Sequence, residues 1–115
     1  MRYASLLLIV GALIAASSAS ASPQVVRPVT LTIYVGKHGV PGGPKKFTVH
    51  KNAHVVLVVH STIGEAVHLH GYDIEKEAKA GQPVRFNFKA SMDGVFEIEV
   101  HKPTANQIAE LEVQP

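Results

Sequence analysis

The most regular pattern in this sequence is the segment Phe96-Glu97-Ile98-Glu99-Val100-His101. Its residues alternate between apolar and polar side chains without interruption. Because successive side chains of a β-strand point to opposite faces, the pattern predicts a strand with one buried face and one face in water. Pro103 ends it soon after, since proline cannot donate a backbone hydrogen bond to a sheet. The same period of two recurs along the chain in both directions.

Short alternating or extended segments are predicted at residues 29–35, 47–50, 66–73, 74–78, 84–88 and 109–113. The run Val55-Val56-Leu57-Val58-Val59 is almost wholly β-branched, which is typical of a central strand covered on both faces. Residues 36–44 are dense in glycine and proline and therefore form a loop. Seven or eight short strands, with a turn signal about every ten residues, predict an all-β sandwich.

The N-terminus has the organisation of a cleavable secretory signal. Arg2 precedes an apolar run over residues 6–14, and small residues lead to Ala19-Ser20-Ala21. The run is shorter than the about 20 residues that cross a bilayer. We therefore expect residues 1–21 to be a signal peptide, residues 22–28 a tether and residues 29–115 one periplasmic or secreted domain, with no stable membrane span after cleavage. An uncleaved N-terminal anchor is the alternative.

Charge and composition exclude several classes of function. Loss of residues 1–21 would remove only Arg2 among the charged residues, so ten basic side chains would balance nine acidic ones. This near-neutral balance, without a basic run, argues against nucleic acid as a partner. The chain has no cysteine, which excludes both disulfides and thiolate metal ligands.

The candidate site is built on histidines. His68 and His70 are two residues apart on a predicted strand, so their imidazoles project from one face about 7 Å apart along the chain. His101 closes another strand, and three imidazoles with an open coordination position can form a copper or zinc site. The alternation suggests that all three point outward and meet on an outer face with Glu99 as a neighbour. Alternatively, His101 swings over the rim of the sandwich, because it stands close before Pro103.

The same histidines also have an ordinary interpretation. A strand histidine is commonly a half-exposed residue that hydrogen-bonds to a neighbour, and the remaining four, His38, His50, His54 and His60, lie in loops or at strand ends without partners at ligand spacing. No catalytic constellation is present, because the sequence has no recognisable nucleophile and no glycine-rich phosphate loop. Glu97 and Glu99 have the pattern of a solvated strand face rather than of a general acid and base.

Four segments together resemble the cupredoxin family: residues 47–59, 67–73, 81–86 and 94–101. The segment His68-Leu69-His70-Gly71-Tyr72-Asp73 is similar to the H-x-H-G-Y-D segment of small exported bacterial cupredoxin-like proteins. The resemblance covers most of residues 29–113. It implies an all-β Greek-key β-sandwich of seven to eight strands.

The resemblance also implies a particular departure from the blue-copper members. His68 falls where their first histidine ligand belongs, but their cysteine position falls at or beside Val100. Neither a second loop histidine nor a methionine occurs between Lys102 and Gln107. The chain is therefore not expected to be an ordinary blue-copper electron carrier. In those members the first ligand points inward, which is the opposite of the orientation that the alternation suggests for His68.

Three hypotheses follow. The first is an exported cupredoxin-like protein that binds copper, with zinc possible, through His68, His70 and His101, and that serves copper handling or an accessory metal role with an unidentified periplasmic partner. The second is a metal-free sandwich that acts as a binding or structural module. The third, a mononuclear copper enzyme, needs a substrate pocket that the sequence does not disclose, so we expect no enzymatic activity.

Overall fold

The computed structural model describes residues 11–101 and 105–115. Within them the chain forms eight strands and no helix. The strands are β1 (Val29–Val35), β2 (Lys45–His50), β3 (His54–Ser61), β4 (Glu65–Leu69), β5 (Ile74–Ala78), β6 (Val84–Lys89), β7 (Gly94–Val100) and β8 (Asn106–Gln114).

The strands form two sheets. The smaller sheet has the order β1-β3-β6, and the larger has the order β2-β8-β7-β4-β5. The pairs β1–β3 and β2–β8 are parallel, and the other pairs are antiparallel. Because β2 lies between β1 and β3 in sequence but belongs to the other sheet, the chain crosses repeatedly between the layers. This confirms the predicted all-β Greek-key sandwich.

The core lies between the two sheets and is filled by alternate side chains from each. Leu57 and Phe86 from the smaller sheet and Leu69, Ile98 and Leu111 from the larger are fully buried. Each such side chain contributes about 1.5–3 kcal/mol of burial free energy. Without disulfides, this apolar contact holds the fold together.

The predicted central strand is β3, which lies between β1 and β6. Leu57 and Val59 face the core, while Val58 faces the other side and is nevertheless only 5% exposed. Thr32 and Arg85 stand beside Val58 in register on the two neighbouring strands. The run is therefore apolar on both faces because its inner residues lie in the core, while Val58 on the outer face is covered by residues of the two neighbouring strands.

Several predicted strand boundaries are wrong; the last strand, for example, begins at Asn106 rather than at Ala109. The strand expected over residues 66–73 ends at Leu69, because Gly71 and Asp73 adopt φ values of +80° and +54°, which no extended strand contains. The second strand begins at Lys45 rather than at Phe47.

The structure describes only part of the predicted signal peptide and tether. Residues 1–10 of the predicted signal peptide lie outside the described residues, and residues 11–28 contain no strand or helix. In the described part of the chain, no helix has the length and apolar character needed to cross a lipid bilayer.

β4 begins with a buried carboxyl group. Glu65 shares the inner face of β4 with Val67, is 2% exposed, and its Oε2 has no hydrogen-bond partner among the described residues. Burial raises the pKa of Glu65, and a hydrogen bond with Ser61 offsets part of that rise. Ionisation of Glu65 therefore lowers the stability of the fold as pH rises.

Replacing Glu65 with glutamine should stabilise the protein at pH 7. Because the folded-state pKa lies above the unfolded one, the folded state holds the proton more tightly, and wild-type stability falls as pH rises from the unfolded pKa through the folded one. Glu65→Gln removes this loss and should raise the free energy of unfolding by on the order of 1 kcal/mol. Urea denaturation as a function of pH measures the difference.

The gain should vanish below the unfolded carboxyl pKa of about 4.3, where wild-type Glu65 is protonated in both states. Glu112→Gln, on the outer face of β8, is the matched control for loss of a carboxylate charge. A gain in Glu65→Gln that stays constant across this pH range would contradict the electrostatic explanation.

Candidate metal centre

His68 and His70 both project from the outer face of the larger sheet. In β4, Val67 and Leu69 are fully buried, so the side chain of His68 between them points away from the core. His70 follows the last residue of β4, and its backbone N–H donates to the carbonyl of Glu97 at 3.0 Å. That hydrogen bond continues the pairing with β7, and the two imidazoles emerge on the same side.

His101 reaches this face from β7. Ile98 and Val100 are buried, which places Glu99 and His101 on the outer side. The backbone N–H of His101 donates to the carbonyl of Ala66 at 3.0 Å, so pairing with β4 extends one residue beyond β7. Of the two geometries left open by the sequence, the meeting on the outer face is found. The inward orientation implied by the resemblance to blue-copper members is not.

The three imidazoles lie together. One ring nitrogen from each of His68, His70 and His101 lies within 4.8 Å of the others. The ring centroid of His68 is 4.4 Å from that of His70 and 5.4 Å from that of His101. Two nitrogens bound to one ion at about 2.0–2.1 Å can be at most about 4.2 Å apart, so small side-chain rotations would bring these donors to coordination distance.

Glu99 contacts two of the three rings. It stands directly opposite His68 in the β4–β7 register. Its Oε2 lies 2.9 Å from Nε2 of His70 and 3.4 Å from Nε2 of His101. The neighbouring His70 imidazole is the main cause that lowers the pKa of the Glu99 carboxyl, against the opposing effect of burial. A negative charge therefore lies beside the imidazole cluster.

Two further carboxylates contact the rings, and the sequence pattern predicts a role for neither. Oε2 of Glu75 lies 3.6 Å from Nδ1 of His101, and Oδ1 of Asp73 lies 3.3 Å from Nε2 of His68. Carboxylates in such positions orient imidazoles and make the opposite nitrogen a better donor. Glu75 becomes a neighbour only through the pairing of β5 with β4, and Asp73 through the turn after Gly71.

Two ring nitrogens of the cluster, Nδ1 of His68 and Nε2 of His70, are buried without a hydrogen-bond partner among the described residues. The 2.9 Å approach of His70 to Glu99 is thus an ion-pair distance without hydrogen-bond direction. A buried polar atom left unpaired costs about 1–3 kcal/mol. Because Asp73 contacts Nε2 of His68, Nδ1 of the same ring remains available to bind a metal ion. The residues present therefore fit a cation that is coordinated by imidazole nitrogen.

The outer face of the larger sheet is predominantly acidic. Six glutamates share this face with the histidines: Glu75, Glu77, Glu97, Glu99, Glu110 and Glu112. These are six of the nine acidic residues of the chain. A nearly balanced total charge therefore conceals a strongly negative surface around the imidazoles, which attracts cations.

The other four histidines lie apart from this cluster. His38, His50 and His54 are exposed, and His60 stacks on Tyr34 with ring centroids 4.7 Å apart. Among the described residues, the group with the spacing of metal ligands contains His68, His70 and His101.

The turn after His70 depends on a glycine. Gly71 has a φ of +80°, and a Cβ at this position would overlap the ring of Phe96. That ring cannot withdraw easily, because it packs edge-on against Tyr72 with centroids 4.9 Å apart. The Tyr72 hydroxyl in turn donates to the carbonyl of Met92 at 2.9 Å. This packing fixes the course of the chain between His70 and Asp73.

Fold and cluster together define a cupredoxin-like β-sandwich with a histidine-rich, thiolate-free candidate metal centre. No protein-family model matches the chain, and no curated protein matches it. The solved structures that it resembles include chains from copper proteins. One is a chain of a heme-copper terminal oxidase dimer, with a TM-score of 0.61 and 15% identity over 84% of this chain and 78% of the other.

Two further structures have the same architecture. A copper-binding protein in its apo form has a TM-score of 0.59 and 11% identity over 74% of this chain and 86% of the other. The copper nitrite reductase from Nitrosomonas europaea has a TM-score of 0.61 and 13% identity over 77% of this chain. Only 42% of the reductase chain is covered. At these identities the likeness establishes the fold.

Gly71→Ala should destabilise the protein more than a glycine substitution at an open positive-φ position. An alanine at positive φ costs about 1–2 kcal/mol of stability, and the overlap of its Cβ with the Phe96 ring adds about 1–3 kcal/mol. Gly42→Ala is the matched control, because Gly42 has a φ of +81° and no atom within 4 Å of its added Cβ. Urea denaturation of both variants measures the difference, and equal losses would contradict a role for the Phe96 contact.

Proposed function

We propose that this chain is an exported protein that binds copper through His68, His70 and His101 and acts in copper handling or as an accessory metal module. One observation carries the proposal: three imidazoles from two paired strands share one face, and two of their nitrogens are buried without a hydrogen-bond partner among the described residues. Imidazole nitrogen is a donor that suits copper and zinc.

The copper proteins among the structural neighbours support copper as the ion, with zinc as the other possibility. Bound copper would supply a Lewis-acidic, redox-active centre at the sheet surface. The chain's own contribution is to hold the ion with nitrogen donors, without the thiolate that blue-copper electron transfer requires. Binding and transfer of the metal, rather than fast electron transfer or catalysis, is the function that this donor set favours.

The surrounding charge supports the same function. Six glutamates on the outer face raise the local concentration of cations near the imidazoles, and such attraction accelerates encounter in a manner that salt weakens. The three histidines reach the surface, since their side chains are 18%, 43% and 36% exposed in chain order. An ion held here would therefore be accessible to a partner protein, as metal transfer requires.

Titration of the purified domain, residues 22–115, with Cu(II) tests the binding site. At one equivalent the melting temperature should rise, because an ion bound only by the native state stabilises it, by about 2.7 kcal/mol when the free ion exceeds its Kd 100-fold. His68→Ala and His101→Ala should abolish the rise. A parallel titration with Zn(II) compares the two ions.

The matched control is His54→Ala, which removes an exposed histidine outside the cluster and should leave the rise unchanged. No change in the wild-type melting temperature would reject copper binding and favour the metal-free binding or structural module. Copper-dependent turnover of a substrate would instead favour an enzyme.

Export is tested by expressing residues 1–115 in a Gram-negative host and measuring the mass of the product. If residues 1–21 are a signal peptide, the periplasmic fraction should contain a chain that begins at Ser22. Replacing Ala19 and Ala21 by bulky residues should cause the precursor to accumulate. A full-length chain in the membrane fraction of wild-type cells would instead identify an uncleaved anchor.

A further inference from the structure

Glu99 has a position that the imidazole cluster alone does not explain. We infer that Glu99 is the fourth donor of the copper site, and that the resulting set of three imidazoles and one carboxylate holds Cu(II) in preference to Cu(I). The inference rests on the proposed copper-binding function and extends it to the oxidation state of the ion.

The spacing of the Glu99 carboxylate matches that of a metal donor. Two donors that share one ion at about 2.0–2.1 Å lie about 2.9 Å apart when they subtend 90° and about 3.4 Å apart at the tetrahedral angle. One oxygen of Glu99, Oε2, lies 2.9 Å from Nε2 of His70 and 3.4 Å from Nε2 of His101. A single oxygen atom is therefore at donor spacing from two imidazoles at once.

The other two carboxylates near the rings differ from Glu99 in position and exposure. Glu75 and Asp73 each contact one ring, and Glu75 approaches Nδ1 of His101, whereas Glu99 approaches Nε2 of the same ring. Asp73 is 95% exposed at its side chain, and Glu99 is 21% exposed. Glu75 and Asp73 have the positions of residues that orient imidazoles, while Glu99 lies among the donor nitrogens.

The sheet itself holds Glu99 in place. Glu99 is held on β7 directly opposite His68, and pairing of β7 with β4 continues beyond both residues. Side chains directly opposite on one face of a sheet have Cβ atoms about 4.5–5.5 Å apart. The carboxylate is thus positioned by backbone hydrogen bonds rather than by a mobile loop.

The chemistry of the donors then selects the ion. Thiolate and thioether sulfur favour Cu(I), whereas imidazole nitrogen and carboxylate oxygen suit divalent ions. The chain has no cysteine, and Met92 lies in the β6–β7 connection, where its backbone hydrogen-bonds with the Tyr72 hydroxyl. A carboxylate also neutralises part of the charge of a divalent ion.

The experiment compares Glu99→Gln with Glu110→Gln. Glu110 lies on the same face of the sheet, on the neighbouring strand β8, so its replacement removes the same charge from the same surface without removing the proposed donor. Dissociation constants for Cu(II) and Cu(I) are measured by competition with nitrilotriacetate and, anaerobically, with bicinchoninate. Electron paramagnetic resonance of the Cu(II) forms reports the donor set directly.

Glu99→Gln should weaken Cu(II) binding by at least about 10-fold, change Cu(I) binding far less, and alter the Cu(II) spectrum. Glu110→Gln should leave the spectrum and both constants near those of the wild type. Glu99→Asp keeps a carboxylate and should retain a preference for Cu(II) above that of Glu99→Gln. This second variant keeps the test decisive if circular dichroism shows that Glu99→Gln is misfolded.

Equal weakening of Cu(II) and Cu(I) in Glu99→Gln would overturn the inference, because Glu99 would then only orient the rings. Unchanged Cu(II) binding and an unchanged spectrum would overturn it as well. In both cases the wild type still binds copper and the proposed function stands. A wild type that binds neither ion rejects the proposed function itself, which separates the two failures.

Discussion

The pairing of β4 with β7 is the constraint on which the rest of this structure depends. Val67 stands opposite Val100, and Leu69 stands opposite Ile98, so four apolar side chains enter the core from two adjacent strands. The same register necessarily places the residues between them on the other face. A slip of one residue would bury the histidines and glutamates and expose the core, which the burial free energy forbids. The core and the candidate site therefore lie on opposite faces of the same pair of strands, and one register fixes both.

The outer face has an unusual distribution of charge for a chain so close to neutrality. Glu97 and Glu110 stand directly opposite each other on β7 and β8, an arrangement of like charges that destabilises a sheet. Lys46 stands beside Glu110 on β2 and offsets part of this repulsion. Departures from local stability of this kind are typical of functional surfaces. A bound cation near the imidazoles would relieve the same repulsion.

Much of the architecture could be predicted because alternation is a local property. Phe96 to His101 shows it in six residues, and the burial of Ile98 and Val100 confirms it. Strand ends were harder, because they depend on backbone angles. The alternation predicts that the strand carrying His68 continues through Asp73, but the strand ends at Leu69 and the chain turns at Gly71. A glycine is required at this turn, because a Cβ there would overlap the Phe96 ring. That ring comes from a strand 25 positions later in the chain, and no local pattern reports it.

By itself, the sequence determined which side chains share a face, because period-two alternation along a strand follows from the geometry of each peptide. It therefore predicted a sandwich, and its alternation favoured outward positions for His68 and His70, but it left open whether His101 joins them on the outer face or swings over the rim. Only the tertiary structure decided that β7 lies beside β4 in the register that brings His101 to the other two imidazoles and Glu99 opposite His68. It likewise brought Glu75 into contact through β5. Strand order and register arise from the packing of distant segments in a common core, and that packing is absent from any single stretch of the chain.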